Sequence, residues 1–180
     1  MKKVEIPNID INALIVNGVG KRKARDELIA AFEEIGFAVL VGHGIAKKRL
    51  SEMRELLIRV FSVPDSVKEG LSISQSNYRG YIPLEFFSPN EKKALEETKN
   101  DLYEGFKLHW ECPKEHPVKD ECKLYGSNKW VKEVEDMEET LLSYWEDCDL
   151  LASTLLSHLA IALGVKPDIL LDFFNEPLTN

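Results

Sequence analysis

The stretch Gly36 to Ile45, Gly-Phe-Ala-Val-Leu-Val-Gly-His-Gly-Ile, limits the architecture more than any other part of the chain. Its centre, Phe37 to Val41, is an unbroken apolar run with two β-branched residues, bounded by Gly36 and Gly42. Such a run reads as a strand buried on both faces, because the glycines leave too little length for a helix. Amphipathic segments flank it, from about Arg22 to Ile35 and from about Lys47 to Phe61. Leu28, Ala31, Phe32 and Ile35 make the apolar stripe of the first, and Leu50, Met53, Leu57 and Val60 that of the second. A strand buried twice requires a sheet around it.

Elsewhere strands are scarce. Pro7 cannot donate to a ladder, so the first segment is at most a short edge strand around Ile9 to Ile11. Pro64 to Lys68 reads as a short helical turn ending at Gly70. Tyr78-Arg79-Gly80-Tyr81 is extended or an ordered loop, and Glu91 to Asp101 is a solvated helix or a mobile segment. Part of Leu102 to Trp110 reads as a strand, and Glu111 to Gly126 as loop. Apolar residues at three- and four-residue steps, from Val134 and Met137 through Leu155, Leu159 and Leu163, predict one long helix over about 130–163. At 1.5 Å per residue it would span about 50 Å. Pro167 opens a last short helix through Phe174. The fold class expected is α+β, mainly helical with a few short strands, in a single domain over 1–180.

Composition narrows the function classes. A net charge of −8 argues against a nucleic-acid or anionic-membrane surface, which needs a basic face. No apolar run is long enough to span a bilayer, and no secretory signal is visible behind Met1-Lys2-Lys3. Cys112, Cys122 and Cys148 are odd in number and never spaced Cys-x-x-Cys, which fits unpaired thiols in a reducing compartment. The expectation is a cytoplasmic soluble protein.

The order of landmarks then carries a resemblance. Ile6-Pro7-x-Ile9-Asp10, Gly36-Phe37 entering a strand, Gly42-His43-Gly44-Ile45, and Phe61 with Pro64 and Lys68 come first. Tyr78-Arg79-Gly80-Tyr81, Glu104-Gly105-Phe106 and a long helix ending in Leu163-Gly164 follow. Together they resemble the N-terminal half of the isopenicillin N synthase-like iron(II)/2-oxoglutarate-dependent dioxygenases, over nearly the whole chain. The resemblance implies a jelly roll beyond this region. There a His-x-Asp pair and a distal His would hold Fe(II), and an Arg-x-Ser pair would grip 2-oxoglutarate. None of those motifs stands here in the family's order. The expectation is therefore a truncated or split oxygenase portion with no cofactor of its own, inactive alone and serving an enzyme that acts on a small molecule. The alternative is a non-catalytic binding or interaction module derived from the same family.

Three patterns imitate the missing motifs. His109-Trp110-Glu111 with His158 can be drawn as a facial triad, but the plain reading is a strand-end histidine, a surface glutamate and a helix histidine near the core. Arg49-Leu50-Ser51 has the Arg-x-Ser form but opens a helix far upstream. His43 between glycines reads as a turn residue bonded to nearby backbone. The resemblance places Arg79 and Tyr81 as substrate-side contacts, a guanidinium being able to hold a carboxylate with two bonds. Against this, Arg79 could pair with a surface acid and both tyrosines could pack on the second helix. Phe86 and Phe87 are lid or core residues. Without the jelly roll, the strand edge and the helix stripe would lie exposed, so a homodimer or a second chain covering them is expected.

Overall fold

The structure is a computed structural model and describes residues 5–87, 101–118, 122 and 126–175. Most of Glu91 to Asp101 lies outside the described residues. The chain divides into two compact units, the first made by residues up to Met53 with Thr140–Asn175, the second by Arg54–Glu139. Among the described residues helical content dominates, with four three-residue strands, as the α+β expectation has it.

In the first unit, β1 (Asn8–Asp10) pairs in parallel with β2 (Val39–Val41), Ile9 lying opposite Leu40. A parallel pair needs a crossover. It is made by α1 (Asn12–Ile15) and α2 (Lys21–Glu34). Helix α2 stops where Ile35 and Gly36 both donate to Ala31 O and Gly36 turns to φ +82°. Ile9, Ile11, Leu14, Ala24, Leu28 and Ala31 form the core, with Ala38, Leu40, Leu151 and Leu155 packed against it. Strand β2 is covered on one face only, unlike the double burial its composition suggests. Phe37, Val39 and Val41 are 66%, 47% and 43% exposed, because the sheet has two strands and α2 lies on one side of it.

Helix α3 (Lys47–Phe61) contributes to both units, burying Leu56 and Val60. Val60 is buried and Met53 half-buried as expected, but Leu50 and Leu57 are exposed and Leu56 takes the place expected of Leu57. Contiguous Leu56-Leu57-Ile58 leaves periodicity unable to choose between neighbours.

The second unit continues with α4 (Asp65–Glu69), entered through Pro64, and with an antiparallel ribbon of β3 (Gly80–Ile82) and β4 (Gly105–Lys107). Gly80 stands opposite Lys107, Tyr81 opposite Phe106 and Ile82 opposite Gly105. Leu71 to Ile73 flanks β3, since Tyr81 N donates to Leu71 O and Ile73 N to Tyr81 O.

The long helix, α5 (Met137–Ala162), starts seven residues later than about 130 and spans 26 residues, about 39 Å. Before it, Val134 N donates to Val131 O and Met137 N to Val134 O, while Val131 N donates to the Met137 sulfur at 3.2 Å. Buried Val131, Val134 and Met137, three apart, belong to consecutive turns rather than to a helix face. Beyond Gly164, Pro167 opens α6 (Pro167–Leu171) and a 3₁₀ turn follows over Asp172–Phe174.

Candidate functional site

The Tyr78–Ile82 segment is held by two polar networks in the second unit. The first gathers residues far apart in sequence. Lys68, buried on α4, donates to Glu104 Oε2 at 3.0 Å and to Phe61 O at 3.3 Å, and pairs with Asp65 at 3.1 Å. The Tyr81 hydroxyl donates to the same Glu104 oxygen at 2.7 Å. Glu104 is held below the ordinary carboxylate range by the Tyr81 bond and then by Lys68, against the opposing effect of burial. Lys68 is raised, chiefly by Glu104. Burial, then the Glu104 bond, raises the Tyr81 phenol. At neutral pH this is an ammonium, a carboxylate and a neutral phenol.

The second network surrounds Asn128. Its Oδ1 accepts the His109 backbone N–H at 3.0 Å, and its Nδ2 donates to His109 O at 2.9 Å. Arg79 is 1% exposed, and its Nη1 donates to His109 O and to Asn128 Oδ1. The Asn128 backbone N–H donates to Glu111 Oε1 at 2.7 Å. An asparagine side chain thus imitates a neighbouring strand at the end of β4. Sequence reasoning passed over Asn128, since one asparagine in a loop carries no spacing signal.

Gly80 lies between the networks at φ +113°, where a Cβ would collide with the Leu71 carbonyl oxygen. The Lys129 stem crosses the same point, its Cδ 2.9 Å from that Cβ position, and its Nζ donates to Ser72 O. Arg79 and Tyr81 are therefore both buried and engaged with the protein itself. Phe87 meets Phe86 edge-on at 4.9 Å and stacks on Tyr103 at 6.3 Å, while Phe86 is exposed.

The imitation motifs have plainer places. His43 Nδ1 accepts the Ile45 backbone N–H at 3.2 Å, a turn bond. Arg49 pairs with Asp147 at 3.1 Å within the first unit. Both His109 ring nitrogens and His158 Nδ1 are buried without a hydrogen-bond partner among the described residues. His158 lies on α5 in the first unit and His109 in the second.

A family model described as "non-haem dioxygenase in morphine synthesis N-terminal" matches residues 6–133. The chain belongs to this family. Among curated relatives, the family chain is 25% identical to a homoarginine-6-hydroxylase of Arabidopsis thaliana over 90% of its own length and 49% of the relative's. It is 27% identical to the 2-oxoglutarate-dependent dioxygenase tropC of Talaromyces stipitatus, over 96% of its own length and 55% of the relative's. A 2OG-Fe(II) oxygenase family protein from Caulobacter crescentus shares the fold, with a TM-score of 0.73 at 20% identity, covering 93% of this chain and 51% of that one. The chain spans about half the length of these relatives. Among the described residues, no three His, Cys, Asp or Glu side chains come together where they could hold a metal ion, His109, Glu111 and His158 included. The described residues thus do not fit an iron centre of the family's kind, and no step through iron is assigned to them. No described helix is long and apolar enough to cross a membrane.

Proposed function

We propose that this chain is the N-terminal scaffold of an iron(II)/2-oxoglutarate-dependent oxidoreductase acting on a small molecule, with Tyr78–Ile82 on the substrate side. The observation that supports this reading is the family match over residues 6–133 on a fold shared with a 2OG-Fe(II) oxygenase. The metal and 2-oxoglutarate would then be held by residues outside those described, and residues 1–180 would work as one N-terminal region. Arg79 and Tyr81 act from beneath the substrate wall, fixing the shape of the β3–β4 ribbon, because their polar atoms already bond Asn128, His109 and Glu104. A second chain, or the remainder of such an enzyme, covers the exposed face of β2. A reducing, cytoplasmic setting suits the free thiols of Cys112, Cys122 and Cys148.

The test is consumption of 2-oxoglutarate by the purified chain with iron(II) and oxygen. The expected result is none from the chain alone, and its appearance when a polypeptide carrying the jelly-roll half is co-expressed. Consumption by the chain alone overturns the scaffold reading. The second reading, a non-catalytic binding module, is favoured by the polar atoms of Tyr81 and Asn128 already being bonded to protein groups. It prevails if no jelly-roll half restores turnover.

A further inference from the structure

Lys107 differs from the other cations around the ribbon. Arg79 is committed to His109 O and Asn128, Lys129 to Ser72 O, and Lys68 to Glu104 and Asp65. Half-buried Lys107 forms no ion pair with any carboxylate among the described residues. Its ammonium instead lies 4.1 Å from the centre of the Tyr78 ring. Directly opposed residues of an antiparallel pair share a face. Lys107 therefore stands opposite Gly80 on the same face of the ribbon, and Gly80 contributes no side chain of its own. Two residues along, His109 is 3% exposed, and neither of its ring nitrogens has a hydrogen-bond partner among the described residues.

We infer that Lys107, backed by the Tyr78 ring and the His109 imidazole, binds the carboxylate of a small organic acid. In a chain of net charge −8 this partly desolvated ammonium has no carboxylate partner among the described residues, and a single negative charge would balance it. Tyr78 supplies an apolar wall beside that charge. This combination suits a carboxylate on an apolar body better than a doubly charged phosphate. Burial depresses Lys107, while burial and then the charges of Arg79 and Lys107 depress His109. An anion arriving here relieves both, so its binding favours the charged form of His109.

As an assignment of substrate class this rests on the preceding reading of Tyr78–Ile82, but the binding can be measured without turnover. Benzoate is titrated into the intact chain by NMR, following the His109 ring resonances at several pH values. The expected result is saturable binding, a His109 midpoint that rises with benzoate, and a loss of about tenfold or more in affinity in Lys107→Met. Lys107→Arg should restore binding, and Lys166→Met, just before α6 in the first unit, should leave it unchanged. Absence of binding, equal affinity in Lys107→Met, an unmoved His109 midpoint, or tighter binding of inorganic phosphate overturns the inference. If benzoate binds as expected while no jelly-roll half restores 2-oxoglutarate consumption, the site stands and the oxygenase reading falls.

Discussion

The Tyr81 hydroxyl donates to Glu104 Oε2 across 2.7 Å, joining β3 to the residue just before β4. Lys68 uses the same oxygen at 3.0 Å, so Glu104 neutralises a buried ammonium while fixing a phenol. Tyr81→Phe removes one hydrogen bond and should cost about 1 kcal/mol. Glu104→Gln leaves Lys68 without its main counter-charge and should cost about 2 kcal/mol or more. Urea unfolding of both single variants and the double variant should show non-additive losses, because the two changes share one oxygen.

Asn128→Ala removes three hydrogen bonds at once, two to the His109 backbone and one from Arg79. A loss of about 2–3 kcal/mol is expected, because the buried His109 N–H loses its partner and its C=O keeps only the Arg79 bond. Hydrogen exchange at the His109 amide should accelerate in step with the stability loss. An unchanged exchange rate would show that the asparagine does not hold this strand end.

Gly80→Ala should be far more damaging than Gly105→Ala, although both glycines are on the same ribbon. At Gly80 the new methyl meets the Leu71 carbonyl oxygen and the backbone stands at φ +113°, whereas at Gly105 the nearest atom is 3.7 Å away. The first change should cost about 3 kcal/mol or more and the second under about 1 kcal/mol, read from denaturation midpoints.

His109 gives the chain an acid-sensitive step. Burial lowers it from 6.5 to about 4 in the folded state. Above 6.5 neither state carries the extra proton, so stability there is independent of this group. Between 6.5 and about 4 the unfolded chain binds a proton that the folded chain refuses, and stability falls. The total loss is up to about 3 kcal/mol, and it levels off below the folded value. Glu104, depressed below its ordinary value, adds its own loss at still lower pH. Unfolding midpoints of His109→Gln should be flatter than those of the parent across the histidine window.

The open face of β2 makes a prediction about association. Val39→Lys and Val41→Lys change side chains already about half exposed, so the fold should tolerate them within about 0.5 kcal/mol. Both should weaken any self-association seen by sedimentation, because the charged face no longer suits an apolar partner. Association equally strong in the lysine variants would place the contact elsewhere.

The landmarks that were legible in the sequence are those set by backbone chemistry. Gly36 after α2 and Gly164 after α5 stand at positive φ, which favours glycine, and Pro64 with its fixed φ precedes α4. What the sequence hid depended on distant partners. Phe32, expected in the apolar stripe of α2, is exposed, and on α3 Leu56 rather than Leu57 is buried beside the expected Val60. Periodicity gives a spacing, while the facing partner decides which neighbour is buried. The start of the long helix was misjudged for a related reason. Val131, Val134 and Met137 repeat every third residue, a step shared by helices and consecutive turns. Within the candidate site, Tyr81 and Glu104 were visible as landmarks, but their shared hydrogen bond spans 23 residues of chain and no local pattern announces it.

The first compact unit is discontinuous, joining the chain up to Met53 with Thr140–Asn175. On the ribosome its opening strand, crossover helices and second strand emerge early, yet Leu151 and Leu155, which pack against their core, are made about a hundred residues later. At bacterial to eukaryotic elongation rates that interval is on the order of ten seconds. During translation the early segment therefore waits with its apolar side uncovered, and that window is when nascent-chain chaperones would be needed.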